Sequence, residues 1–192
     1  MSTDQRLHIT APGDREIVMS RTFDAPAGLV FDALTTPHLL ARWYGARGWR
    51  LADCTVDLRV GDRWRFVSRG PDGAEMAQSG TYREVERPSR LIYTETFDDQ
   101  SYPGETLVAH SLTEAAGTTT LTSHLLYPSP EAREITLRYP MTRGVGQSYD
   151  RLDAALTEIA HPRAIRPDVI QPDVIQPDVI QPSVTHPQEE QP

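Results

Sequence analysis

Two histidines at symmetric positions are the residues of this sequence best suited to acid–base chemistry. His110 lies seven residues before Gly117 and His124 lies seven residues after it, in two segments whose apolar residues alternate. If these segments form a hairpin, we expect the two imidazoles to lie nearly opposite each other, where they could relay a proton or bind a metal. A metal would need a third ligand such as Glu95 or Glu105, and no spacing enforces one. The pattern therefore favours a hydrogen-bonded histidine pair, and no metal site is predicted.

A second group of chemically capable residues lies in the segment 51–60. Asp53, Asp57 and Arg59 share one face, and two carboxylates there could do acid–base work in a buried pocket. Because the apolar residues alternate with them, we expect these charges to face solvent and Asp57 to pair with Arg59. Cys54 falls on the apolar face and is interpreted as a small buried hydrophobic residue. It is the sole cysteine, which excludes an intrachain disulfide and a thiolate-rich zinc site.

Other catalytic motifs are missing from the sequence. It contains neither a phosphate-binding glycine loop nor a Gly-x-Ser-x-Gly motif, so no cofactor is predicted. Three aromatic residues, Trp43, Tyr44 and Trp49, cluster between a helical and an alternating segment. They could fill a core or form the rim of a binding cavity, since both uses bury large apolar areas. The core is the favoured interpretation, and the rim stays open as the alternative.

The elements that must position these residues are visible as changes of periodicity. Residues 15–23 alternate as a strand, and two short helical patterns follow, of which the second begins at Pro37. About six further strand patterns, separated by Gly, Pro and Asp turns, are typical of an antiparallel meander. Ser129 is predicted to be the N-cap of a last helix, in which apolar residues recur at spacings of three and four from Leu137 to Ile159. Pro140 should kink this helix or split it in two.

This order of elements predicts an α+β protein with the helix-grip fold. In that fold a curved antiparallel sheet, here of about six to seven strands, wraps around a long C-terminal helix and leaves a cavity between them. We expect a flexible N-terminal arm at 1–14, the folded domain at 15–160 and a disordered tail at 161–192. The tail has a proline every five residues and three PDVIQ repeats, so it lacks backbone donors that a helix or a central strand needs.

Composition and charge exclude several classes of function. The net charge of −8 disfavours a nucleic-acid-binding surface, which needs clustered positive charge. No apolar run approaches the length of about 18 residues that a membrane span needs. The N-terminus also lacks the apolar segment of a secretory signal. We therefore expect a cytoplasmic protein that binds neither nucleic acid nor membrane.

Four stretches of the sequence resemble a known family, in the order in which they occur there. They are FDAPAGLVFDALTTPHLLARWYG, CTVDLRVGDRWRF, GTYREVERPSRLIYTETF and GVGQSYDRLDAAL, within residues 15–160. They are similar to the START-like (SRPBCC, Bet v 1-like) superfamily, in the branch named for the C-terminal domain of the activator of Hsp90 ATPase homologue. The sequence departs from the pattern of that branch at Tyr44, Asp62 and Pro140, where many members have a tryptophan, a glycine and an unbroken helix.

The resemblance implies a cavity that binds a hydrophobic small molecule. The side chains that we expect to contact this molecule are Trp43, Tyr44, Trp49, Trp64, Phe66, Tyr82, Tyr93, Leu121, Met141, Val145 and Tyr149. The family has no shared catalytic group, which favours a binding role over an enzyme. Two alternatives stay open. One is a chaperone-associated protein-binding module, as in the eukaryotic namesake, and the other is a cyclase- or hydratase-like enzyme that uses His110 and His124.

Overall fold

Eight strands and four α-helices make up the described part of the chain. The computed structural model describes residues 6–99, 103–138 and 141–160, with side chains from Arg143 onward in the last range. The strands are β1 (His8–Thr10), β2 (Glu16–Phe23), β3 (Arg50–Val56), β4 (Arg63–Arg69), β5 (Glu75–Glu86), β6 (Arg90–Phe97), β7 (Thr106–Ala115) and β8 (Thr118–Leu126). The helices are α1 (Ala27–Thr35), α2 (Pro37–Trp43), α3 (Pro130–Arg138) and α4 (Met141–Ala160). The PDVIQ tail lies outside the described residues.

All eight strands belong to one sheet in the order β1-β2-β8-β7-β6-β5-β4-β3. Every neighbouring pair is antiparallel, and the edge strands β1 and β3 do not pair with each other, so the sheet stays open. Two short helices follow the first long strand, and the longest helix comes last. The α+β helix-grip fold that the sequence predicts is confirmed.

The sheet has one strand more than the six to seven expected, because β1 lies in the segment predicted as a flexible arm. His8 pairs with Ser20, and Thr10 pairs with Val18, so this segment forms the edge of the sheet. Ile9 is its one apolar side chain, and it packs half-buried against the core. A strand of three residues is too short to show the alternation that identifies a strand in a sequence.

Alternation along the longer strands directs one set of side chains to the inner face of the sheet. In β2 the buried positions are Ile17, Met19, Arg21 and Phe23, as the sequence predicts. The same period of two buries Trp64 and Phe66 on β4 and Leu121, Ser123 and Leu125 on β8. The inner face therefore carries both the core and the groups that face a cavity.

The helices close the inner face of the sheet. Val30 and Phe31 of α1 and Leu40 of α2 are fully buried, and they belong to the same core cluster as Leu152 and Leu156 of α4. α3 ends at Arg138 and α4 begins at Met141, and residues 139–140, where the sequence predicts a break, lie outside the described residues. The N-terminus of α3 is as predicted, since Ser129 Oγ accepts a hydrogen bond from the backbone N–H of Ala132 at 3.2 Å.

The β7–β8 hairpin decides which face each histidine occupies. Its loop is the dipeptide Ala116–Gly117, and both residues have positive φ, 52° and 80°, as a tight hairpin turn requires. The register that follows pairs His110 with Ser123 and His124 with Ala109. Since successive residues of a strand point to opposite faces, the two histidines lie on opposite sides of the sheet. The prediction that the two histidines form a pair is therefore wrong, because His124 is one residue away from the position opposite His110.

Candidate functional site

A cavity of about 310 Å³ lies between the inner face of the sheet, the end of α2 and the first turns of α4. This volume is at the lower end of the range for small-molecule sites. Its aromatic lining residues are Trp43, Tyr44, Trp64, Phe66, Tyr82, Tyr93, Phe97, Tyr127 and Tyr149. The cavity wall also contains the polar side chains of Gln78, Glu95, Thr106, His110, Thr136 and Ser148. An apolar cavity with a few convergent polar groups is the usual form of a site for a small ligand.

The aromatic wall is built from rings that fix one another. Trp64 and Phe66 alternate with exposed residues on β4, so both point inward, and their ring centroids are 4.8 Å apart. Tyr44 contacts the edge of Phe66 at 5.1 Å, and Tyr93 contacts Trp64 at 5.3 Å. Edge contacts of this kind restrict each ring to one orientation. The wall is therefore formed before any ligand binds.

Hydrogen bonds anchor two of these aromatic side chains. The indole N–H of Trp43 donates to the carbonyl of Ala33 at 2.9 Å, which ties α2 to α1. The side-chain amide of Gln78 donates to the hydroxyl of Tyr44, which joins β5 to the segment that follows α2. Burial raises the pKa of Tyr44, with a smaller contribution from the charge of Glu95, so this phenol stays neutral.

His110 is the centre of a hydrogen-bonded chain that crosses the cavity wall. Its Nε2 lies 3.0 Å from the hydroxyl of Tyr93, and its Nδ1 lies 2.8 Å from Ser123 Oγ. Ser123 Oγ in turn lies 3.2 Å from the hydroxyl of Tyr149, so strands β6, β7 and β8 are linked to helix α4. Burial lowers the pKa of His110 to about 4, and the imidazole is neutral near pH 7. A neutral ring has one donor and one acceptor nitrogen, which suits it to join two hydroxyl groups.

Glu95 is the one carboxylate of the cavity wall. It lies on β6 two residues after Tyr93 and two before Phe97, so the pleat directs all three side chains to the cavity. Burial raises the pKa of Glu95 to about 7. Among the described residues, none forms a hydrogen bond or an ion pair with its carboxylate. The sequence analysis considered Glu95 solely as a third metal ligand, although its two aromatic neighbours at a spacing of two indicate an inward position.

Eight of the eleven predicted contact residues line the cavity. They are Trp43, Tyr44, Trp64, Phe66, Tyr82, Tyr93, Val145 and Tyr149. Trp49 instead packs over Gly70. The contact is close, because a Cβ atom added to Gly70 would lie 2.5 Å from the indole ring of Trp49. Leu121 is fully buried in the core behind the wall. The side chain of Met141 lies outside the described residues.

The remaining chemically capable residues do not line the cavity. His124 is exposed, and its Nε2 lies 3.3 Å from a carboxylate oxygen of Glu16, so it does not reach the cavity. Asp57 pairs with Arg59 at 2.9 Å, as predicted. Cys54 is half-buried, and burial raises its pKa to about 11, which keeps the thiol protonated.

The described part of the chain contains neither a cluster of metal-binding side chains nor a membrane-spanning helix. No group of three or more His, Cys, Asp or Glu side chains there could hold a metal ion. None of the described helices is both long enough and apolar enough to cross a membrane.

Comparison with known proteins identifies similar domains. A family model described as activator of Hsp90 ATPase homolog 1-like protein matches residues 24–157. A crystal structure of a protein from Rhodobacter sphaeroides is 32% identical with a TM-score of 0.74, over 80% of this chain and 99% of that one. A crystal structure titled AHSA1 protein, from Silicibacter pomeroyi, is 22% identical with a TM-score of 0.62, over 77% and 99% of the two chains. No curated protein matches the sequence.

Proposed function

Because the chain belongs to the family of activator of Hsp90 ATPase homolog 1-like proteins, we propose that its START-like domain binds a small apolar molecule. The proposed site is the cavity between the sheet and α4. The observation that carries the proposal is the cavity of about 310 Å³ whose wall is mainly apolar and includes nine aromatic side chains. Few polar groups interrupt this wall, and such groups orient a ligand in typical small-molecule sites.

The energetics of packing support the same proposal. Protein interiors are usually packed at the density of organic crystals and contain few voids larger than a water molecule. An empty apolar cavity leaves its wall without van der Waals partners on one side, which costs stability in proportion to its volume. A ligand that fills the cavity would restore these contacts, so the free energy of binding has an evident source.

The alternative of a protein-binding module has no comparable support. Among the large apolar side chains of the described residues, Val60 and Leu107 are exposed, and they lie in the β3–β4 loop and on β7. Two isolated residues fall short of the contiguous apolar patch that marks an interaction surface. The enzyme that would use a histidine pair is not proposed further, because His124 lies on the outer face of the sheet.

Native mass spectrometry of the full chain tests the proposal. The protein is purified without denaturation and incubated with a panel of lipids, aromatic compounds and polyketides. We expect at least one class to be retained at a ratio of one molecule per chain. Val145→Phe should abolish retention, because Val145 lines the cavity and the larger ring would occupy it.

The matched control places the same substitution on the surface. Val60 is 65% exposed, so Val60→Phe should retain the ligand as the wild-type protein does. Failure of the wild-type protein to retain any class in the panel would contradict the proposal. Equal retention by Val145→Phe and the wild-type protein would also contradict it, since the ligand would then lie outside the cavity.

A further inference from the structure

The carboxylate of Glu95 has an unusual environment for an acidic side chain. Carboxylates inside proteins are normally paired with a cation or accept hydrogen bonds, because an unpaired charge away from water is costly. Glu95 is half-buried and faces the cavity, and no described residue provides either kind of partner. The open space beside its carboxylate is therefore the cavity itself.

The described residues supply no positive charge to the cavity wall. Neither arginine nor lysine is among the residues that line it, and the chain contains no lysine at all. Arg21 is buried on the inner face of the sheet, but its guanidinium donates to Asp150 at 2.7 Å and lies over the ring of Phe23. His110 is neutral, and its two nitrogens are engaged by Tyr93 and Ser123. A counter-ion for Glu95 would have to enter with the ligand.

The rings around Glu95 are suited to the same kind of ligand. Glu95, Tyr44 and Tyr93 line the same cavity. Burial raises the pKa values of both phenols, and the charge of Glu95 adds to this effect. Trp64 and Phe66 continue the aromatic wall from these two side chains. The face of an aromatic ring attracts a cation, and several rings around a carboxylate form a site that favours an organic cation over a neutral molecule of the same shape.

We propose that the cavity selects a small apolar molecule that carries one positive charge, with Glu95 as its counter-ion and the surrounding rings as cation–π partners. This inference rests on the proposed function, because it names the class of ligand for the same cavity. The charged group lies beside Glu95, and the apolar body of the ligand fills the space toward α4. A neutral ligand would instead leave Glu95 protonated, as a donor to a ligand oxygen.

A pair of isosteric probes separates these two arrangements. Benzyltrimethylammonium and neopentylbenzene have the same shape, and they differ by one positive charge. Their affinities for the full chain are measured at pH 8 by native mass spectrometry and by competition between the probes. We expect the cation to bind at least about tenfold more tightly than the neutral probe.

Variants at Glu95 test whether this side chain causes the preference for the cationic probe. Glu95→Gln keeps the shape of the side chain, so it should remove the preference for the cation and leave the affinity for neopentylbenzene unchanged. Glu105→Gln changes an exposed residue outside the cavity wall and should behave as the wild-type protein does. Persistence of the cation preference in Glu95→Gln would overturn the proposal.

The pH dependence gives an independent readout of the same group. Benzyltrimethylammonium has a fixed charge, so any change of its affinity with pH comes from the protein. Besides Glu95, the titratable side chains of the cavity wall are His110, Tyr44, Tyr82, Tyr93, Tyr127 and Tyr149. Burial lowers the pKa of His110 and raises those of Tyr44, Tyr82, Tyr93 and Tyr149, so these groups are neutral near pH 7. We expect the affinity to rise from pH 6 to pH 8 in the wild-type protein and to stay constant in Glu95→Gln.

The outcomes separate the two proposals. If neopentylbenzene binds in the cavity and benzyltrimethylammonium does not, the ligand class proposed here is wrong while the binding function stands. If neither probe binds while a member of the ligand panel is retained, the ligand class proposed here is wrong and the binding function stands. If no member of the panel is retained either, both proposals are contradicted. Binding of both probes with equal affinity overturns the role of Glu95 alone.

Discussion

Glu95 and His110 line the same cavity, and burial shifts their pKa values in opposite directions. The pKa of the carboxyl is raised from 4.5 to about 7, and that of the imidazole is lowered from 6.5 to about 4. Both shifts favour the neutral form, because charge is costly away from water. The ligand-free cavity is therefore nearly uncharged below pH 7, and Glu95 is the wall residue whose charge changes near neutral pH.

These shifts have opposite consequences for stability. As the pH rises from 4.5 to about 7, the unfolded chain loses the Glu95 proton and the folded protein keeps it, so the free energy of unfolding falls. As the pH falls from 6.5 to about 4, the unfolded chain gains a proton on His110 that the folded protein does not, so the free energy of unfolding falls on the acid side. The two slopes oppose each other between pH 4.5 and 6.5.

Glu95→Gln should reveal the pH dependence of the free energy of unfolding that His110 produces by itself. We expect the free energy of unfolding of this variant to rise relative to wild type by roughly 1.4 kcal/mol per pH unit across that window. By pH 8 the ligand-free variant should be more stable than the wild-type protein by up to about 3 kcal/mol. Urea unfolding at a series of pH values measures both effects. Glu105→Gln serves as the control, and parallel profiles for Glu95→Gln and wild type would show that Glu95 is not buried as described.

The sequence analysis identified the aromatic wall more fully than its polar groups. Aromatic residues at a spacing of two on an alternating strand point inward whatever the details of the sheet, as Trp64 and Phe66 do. The role of Glu95 depends on the other residues of the cavity wall, among which no described side chain supplies a partner. That arrangement depends on tertiary packing, so it cannot be predicted from the spacing of residues along one strand.

At the scale of the elements, β5 and β6 approach each other unusually closely at Gly80. A Cβ added there would lie 1.6 Å from the carbonyl oxygen of Thr94 and 2.8 Å from the indole nitrogen of Trp64. The pairing of β5 with β6 is irregular directly after this point, between Tyr82 and Glu84. Irregularities of this kind bend a strand, and the sheet needs a bend to enclose the cavity.

Gly80→Ala should therefore be strongly destabilising. Because the added methyl group meets a backbone carbonyl, relief requires the two strands to move apart, and we expect a loss of about 3 kcal/mol or more. Gly28→Ala is the matched control, because there the methyl group meets the guanidinium of Arg87 at 3.6 Å and nothing closer. In a helix that change should stabilise by up to about 1 kcal/mol. Urea unfolding of both variants checks this, and equal stabilities would contradict the close approach.

Element types were predictable and strand register was not. Periods of two and of three to four residues distinguished the strands from the helices. The position of His124 was missed because the turn at Ala116–Gly117 has two residues, and a shift of one residue moves every side chain to the other face. The edge strand β1 was missed because it is stabilised by pairing with β2 more than by its own pattern.

At the scale of the whole molecule, the order of elements determines where the cavity lies. Two short helices after β2 and a long helix at the end of the described chain cover the same face of one sheet. This order and the family motifs were sufficient to predict the helix-grip fold. The ligand was not predictable, since related folds enclose cavities whose walls differ in a few side chains. Here those side chains are Glu95 and the chain of hydroxyl groups around His110.

A crystal structure of the full chain grown with benzyltrimethylammonium tests the central claim most directly. The account predicts electron density for one molecule inside the cavity, with its nitrogen beside the Glu95 carboxylate and within about 6 Å of the centroids of Tyr44 or Trp64. The rings of the wall should keep the contacts described here, because they are formed in advance. Density for the probe on the outer surface alone, or a cavity closed by movement of Tyr44 and Val145, would contradict the account.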